Sequence, residues 1–176
     1  IDMPAGPSEV MVVIDRTTSI PFAAADVLSQ SEHGLDSQSI LVIMARDKQE
    51  GDELAQKVKF EIEEQIKRLP RNEYIRASLN NSYIVIVYSY EEALAVINGY
   101  ASEHLIINTE HYSELERGVK HAGSVFLGPY SPESAGDYAS GTNHTLPTSG
   151  AARAYSGVSL QSFLKTITYQ KLSRSG

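Results

Sequence analysis

VMVVIDRTTSIPFAAADVLSQSEHGLDSQSILVIMA, residues 10–45, decides the fold class. Val10 to Asp15 is an apolar, β-branched run that reads as a short buried strand. Thr17, Thr18 and Ser19 then offer an N-cap, and Pro21 suits a first helical turn, where a missing N–H loses no bond. The spacing predicts a helix from about Pro21 to Glu32 that stops near Gly34. Ser39 to Ala45 is a second apolar run, so the order is strand, helix, strand.

Outward from this unit the alternation continues. Leu54, Val58, Ile62, Ile66 and Leu69 recur at spacings of four and three, an amphipathic helix ended by Pro70. A short helix is predicted over Glu73–Leu79, and Tyr83–Tyr88 reads as a central strand. Glu91–Asn98 is predicted helical, Leu105–Asn108 extended, Tyr112–Lys120 helical and Ser124–Leu127 extended. Strands alternating with helices imply an α/β domain, a mostly parallel sheet with helices on both faces. From Gly128 to Gly150 the regularity vanishes in favour of Gly, Pro, Ser, Thr and Asn. A structureless stretch of that length inside a compact domain is usually functional.

The chain has 176 residues, 41% of them hydrophobic, enough for one core, so a single α/β domain over residues 1–176 is expected. Net charge is −7 and the basic residues are scattered, which argues against a nucleic-acid partner. Cysteine is absent, which excludes disulfides and thiolate metal sites and fits a cytoplasmic protein. The run Ile84–Val87 is far below the about 20 residues a membrane helix needs. The chain opens on IDMPAGPSEV without an initiator Met or signal pattern and closes on KLSRSG, so both ends are read as cuts within a longer polypeptide.

Three constellations bear chemistry. In LSQSEHG, Gln30 and His33 lie three apart at a predicted helix end and are able to converge. His is a common metal ligand and Gln a poor one, and a polar helix end explains the pair equally well. Glu103 and His104 sit just before a strand, at a sheet edge where α/β proteins tend to place sites; a carboxylate beside an imidazole suits proton transfer, and a solvated turn is the alternative. In SPESAGDYASGTNHTLP, Asp137 and His144 share a loop constrained by Gly136, Gly141 and Pro147, which suits a metal or substrate clamp or a polar loop. The dinucleotide, phosphate-loop and hydrolase signatures are missing. The PAGPSE turn, with Ser8, is a weak anion-binding signal.

The strings IDMPAGPSEV, DVLSQSEHGLDSQ, EHLI at 103–106 and AGSVFLGPYSPESAGDYASGTNHTLPT at 122–148 together resemble the histidinol dehydrogenase family over essentially the whole chain. That resemblance implies an incomplete Rossmann-like fold and NAD-dependent oxidation of L-histidinol to L-histidine through the aldehyde. It implies Gln30, His33 and Asp137 as zinc ligands, with a fourth histidine from the tail of a partner subunit in a homodimer. It implies Glu103 and His104 as the catalytic pair, and substrate contacts from Ser8, Gln30, His33, His104, Asp137 and His144. The family's NAD contacts lie in a domain upstream, so this stretch alone is expected to be inactive and short of metal. Two departures stand out: Ser102 replaces the usual Pro before Glu103, which is expected to loosen that turn, and PTSG stands at 147–150 where PTYG or PTNG is common. A zinc-binding relative that has lost catalysis, or a zinc hydrolase, are the competing readings.

Overall fold

A computed structural model describes residues 6–175; the first five residues of the IDMPAGPSEV string lie outside the described residues. The chain alternates β1 (Glu9–Ile14), α1 (Ile20–Ser31), β2 (Gln38–Met44), α2 (Lys48–Ile66), α3 (Asn72–Leu79), β3 (Tyr83–Val87), α4 (Tyr90–Tyr100), β4 (His104–Asn108), α5 (Tyr112–Glu116), β5 (Ser124–Leu127) and α6 (Glu133–Tyr138). The strands form one sheet in the order β3-β2-β1-β4-β5, and every pairing is parallel. This is the Rossmann strand order one strand short, with the chain reversing direction across the sheet between β1 and β4.

Side-chain alternation along β1 sorts the core into two layers. Val10, Val12 and Ile14 face a cluster built with Ala24, Val27 and Leu28 of α1, Val58 and Ile62 of α2, and Ile75 of α3. Met11 and Val13 face a second cluster with Ala93 and Ile97 of α4, Leu105 and Ile107 of β4, and Leu115 of α5. Both sheet faces are thus covered, as a parallel sheet requires. No helix among the described residues is long and apolar enough to cross a membrane.

Four local readings need correction. Tyr83–Val87 is an edge strand, not a central one; its apolar run is explained by helices on both faces, since Ile84 and Ile86 pack into one cluster and Val85 and Val87 into the other. The helix predicted over Tyr112–Lys120 is α5 and stops at Glu116, where Gly118 N–H turns back to the Leu115 carbonyl at 2.8 Å. The Ser19 side chain does not cap α1; Thr18 instead donates its hydroxyl to the Asn108 carbonyl and accepts from Asp15 N–H at 3.0 Å, tying the ends of β1 and β4. The 128–150 stretch is not structureless, because α6 lies within it and carries Asp137.

Asp47 caps α2 by accepting from Glu50 N–H at 2.9 Å, and Ser89 caps α4 by accepting from Glu92 N–H at 3.1 Å. We expect Asp47→Ala to cost about 1 kcal/mol and Ile43→Ala, fully buried near the end of β2, about 2–5 kcal/mol. Chemical unfolding of the protein checks the ordering, and equal losses would contradict the core assignment.

Candidate functional site

Open parallel sheets usually bind ligands beyond the carboxyl ends of their strands. Here the acid and imidazole groups gather at the opposite, amino edge. Glu9 opens β1 and His104 opens β4, and the parallel register pairs Val10 with His104. α1 runs back across the sheet, so its last turn, with Gln30, returns to the same edge. α6 then packs against α1 and brings Glu133 and Asp137, four residues apart and so on one helix face.

One residue's backbone holds the first pair. Glu9 N–H donates to Glu103 Oε2 at 2.9 Å, while the Glu9 carbonyl lies 3.2 Å from His104 Nδ1. The carbonyl only accepts, so the contact fixes the proton on Nδ1 and leaves Nε2 as the basic nitrogen. Nε2 is buried without a hydrogen-bond partner. Glu103 Oε2 lies 3.6 Å from Nδ1, too far for a direct hydrogen bond. Phe126 stacks beside the imidazole, centroids 6.1 Å apart. The Glu9 carboxylate is anchored by Ser149 N–H at 2.8 Å, from a turn in which Ser149 takes a left-handed φ of 56°.

The second group joins α1 to α6. Gln30 is fully buried and donates Nε2–H to Glu133 Oε1, and the Ser29 hydroxyl donates to Glu133 Oε2 at 3.0 Å. Gln30 Oε1 is buried without a partner. Ligand atoms of His104, Glu133 and Asp137 all lie within 4.8 Å of one another, a spacing that suits a metal ion. Gly136 lets α6 dock: a Cβ there would stand 2.6 Å from the Phe126 ring.

Burial dominates the electrostatics. It pushes Glu103 up to about 7, with the charges of Glu9 and Asp137 adding to the effect and the Glu9 N–H opposing it. It pushes Glu133 up to about 8 against the bonds from Ser29 and Gln30, and it raises Glu9 as well. It lowers His104, whose imidazole also feels Asp137, His33 and His144. A depressed histidine is neutral near physiological pH and ready to accept a proton.

Of the residues singled out by sequence, Gln30, Glu103, His104 and Asp137 come together at this edge. His33 lies beyond the end of α1, exposed, with its N–H on the Gln30 carbonyl at 3.1 Å. His144 is exposed on the loop. Ser8 directly precedes Glu9, and its carbonyl accepts from Gln38 N–H at 3.0 Å. The turn expected to be loose at Ser102 is packed: Ser102 is buried and its carbonyl accepts from Gly123 N–H at 2.9 Å. Glu9 and Glu133 were not singled out. The signal for Glu133 was present, a carboxylate one helical turn before Asp137. A groove of 410 Å³ lined by Val27, Leu41, Ile62 and Ile84 borders β3, remote from β4, and holds no part of this cluster.

Fold and site together define a Rossmann-like α/β domain carrying a buried acid–imidazole cluster suited to proton transfer and to a metal. The chain belongs to the histidinol dehydrogenase family, which it matches over residues 1–176. It is 54% identical over 176 residues to histidinol dehydrogenase of Bacteroides fragilis (strain YCH46), covering 100% of this chain and 40% of that protein. It is 51% identical over 177 residues to the chloroplastic histidinol dehydrogenase of Arabidopsis thaliana, covering 100% of this chain and 37% of that protein. The crystal structure of histidinol dehydrogenase from Elizabethkingia anophelis superposes with a TM-score of 0.91 at 50% identity, over 99% of this chain and 39% of that one. The chain thus spans about 40% of the length of the curated relatives it matches.

Two outcomes test this geometry. A Cβ on Gly123 would stand 2.5 Å from the Glu103 carbonyl oxygen, so Gly123→Ala should push β4 from β5 and cost about 1–3 kcal/mol; unchanged stability would contradict the close approach. Glu103, raised from 4.5 to about 7, stays protonated in the folded protein while the unfolded chain ionises. Its contribution is therefore full below about pH 4.5 and lost as pH rises through about 7. Glu103→Gln should flatten the fall in Tm between about pH 5 and about pH 8, and an unaltered slope would refute the shift.

Proposed function

We propose that the full-length protein containing this chain oxidises L-histidinol to L-histidine through L-histidinaldehyde, using zinc and two molecules of NAD. In this reading the chain supplies the catalytic pair Glu103 and His104 and three zinc ligands, Gln30, His33 and Asp137. The observation that carries it is the convergence of two unpartnered buried lone-pair atoms, His104 Nε2 and Gln30 Oε1, on the same edge as Glu103 and Asp137. A family match over the full chain supports it.

The donor set fits zinc, which takes imidazole nitrogen and carboxylate or amide oxygen and does not require thiolate. Geometry alone groups His104, Glu133 and Asp137, a set that shares only Asp137 with the proposed ligands. We prefer Gln30 and His33 to the other two. Both Glu133 oxygens already accept hydrogen bonds, whereas Gln30 Oε1 has no partner, and His104 Nε2 is needed as a base. A histidine from the tail of a second subunit completes the set in a homodimer.

When bound at Gln30, His33 and Asp137, zinc would orient the substrate, and NAD, held elsewhere in the full-length protein, would supply the oxidising power for both oxidations. His104 Nε2 takes the hydroxyl proton as the carbinol carbon is oxidised, and the Glu9 carbonyl steadies the imidazolium that forms. Glu103 takes a proton from water as its oxygen adds to the aldehyde carbon, and His104 returns its proton to the carbonyl oxygen, giving the hydrate. His104 then removes a hydrate hydroxyl proton in the second oxidation. Ser8 and His144 flank the cluster as further substrate contacts.

The test is NADH formation from histidinol by the full-length protein. We expect His104→Asn to lower kcat by about 10²–10⁴-fold with KM little changed. The kcat should also rise across the Glu103 ionisation near 7, a limb that Glu103→Gln removes. A full-length protein that binds zinc and histidinol without oxidising the alcohol would mark a relative that has lost catalysis and would overturn the reading.

A further inference from the structure

Glu133 has no part in the steps above, yet it is among the most deeply buried carboxyl groups of the chain, 3% exposed. It is tied at both oxygens: Oε2 accepts from the Ser29 hydroxyl, and Oε1 accepts from Gln30 Nε2–H. An amide side chain is two-faced, with an oxygen that binds metal and an NH₂ that does not, and nothing in its shape decides which end points where. Ser29 Oγ meets the Glu133 carboxyl at Oε2, so whether that carboxyl is ionised or carries its proton there, Oε1 is an acceptor and decides the matter. With the NH₂ of Gln30 held by Glu133, the amide oxygen is the end left over, and it is the end found buried without a partner.

We propose that Glu133 is a positioning residue that sets the orientation of the Gln30 amide and thereby makes Gln30 a metal ligand. This rests on the reading of Gln30, His33 and Asp137 as zinc ligands. It also accounts for α6 being a helix: Glu133 and Asp137 fall on one face, so a single element supplies both a ligand and the group that orients another. Ser29, beside Gln30 on α1, fixes Glu133 in turn, so a chain of two hydrogen bonds runs from the end of α1 to α6 and back. Outer partners of this kind typically govern metal affinity by about 10–100-fold.

The experiment is a zinc competition titration with a chromophoric chelator on the full-length protein, with Tm followed in parallel. Glu133→Gln is isosteric and able to donate its own NH₂ to Gln30 Oε1, letting the amide turn over; zinc affinity should fall by about 10–100-fold with Tm little changed. The reciprocal double variant, Glu133→Gln with Gln30→Glu, keeps the hydrogen bond, fixes a carboxylate oxygen toward the metal and should restore affinity to within a few-fold of the parent. If Glu133→Gln binds zinc as the parent does, the positioning role is wrong while the metal site stands. If the double variant stays as weak as the single, Glu133 acts as a ligand or as a charge and the proposal also fails. A parent protein that binds no zinc would bring down the ligand assignment itself. Should the single variant unfold, the double variant's affinity decides alone.

Discussion

The site depends on the backbone of one residue, Glu9, at the first position of β1. Its N–H holds the Glu103 carboxylate and its carbonyl holds His104 Nδ1. Both bonds exist because β1 and β4 pair in parallel with Val10 opposite His104, so the amino ends of two adjacent central strands lie side by side. The register is itself fixed by burial, since a slip of one residue would turn Val10, Val12 and Ile14 out of their layer and Met11 and Val13 into the wrong one. Core packing thereby sets which nitrogen of His104 is basic.

Grouping acids at this edge carries a stability cost. Glu9, Glu103 and Glu133 are all buried and all raised by desolvation. Each keeps hydrogen bonds that offset part of the cost: the Ser149 N–H on Glu9, the Glu9 N–H on Glu103, the Ser29 hydroxyl and Gln30 amide on Glu133. Gln30 Oε1, His104 Nε2 and Glu9 Oε2 have no partner, and the first two lie on groups bound to Glu133 or grouped with it and Asp137. Thr109 Oγ1 and Thr148 Oγ1 are also buried without a partner, but the clustering of unsatisfied groups around Glu133 and Asp137 is what marks a site poised for a ligand.

The strand–helix alternation was legible because each strand is a short apolar run and each long helix has a regular stripe, and five parallel strands followed. Edge and centre were not separable by composition: β3 is as apolar as β1 because helices cover both faces of each. α6 escaped notice because its six residues, ESAGDY, hold one stripe position too few for a period and contain Gly136. Glu9 and Glu133 escaped for a related reason. Their partners lie 94 and 103 residues away along the chain, and no local spacing reports such a contact. The pairing of Glu103 with His104 was visible because the two are adjacent, but the amino-edge placement was not, since it depends on α1 and α6 returning to that side of the sheet.

The most direct test of this account is ¹⁵N NMR of the histidine side chains in the full-length protein, with the His104 signal assigned by its loss in His104→Asn. The account requires His104 to be neutral near pH 7 and protonated on Nδ1, with the Nε2 shift of an unprotonated nitrogen. An imidazolium at that pH, or a neutral ring with its proton on Nε2, would contradict it, because the Glu9 carbonyl would then not be setting the base.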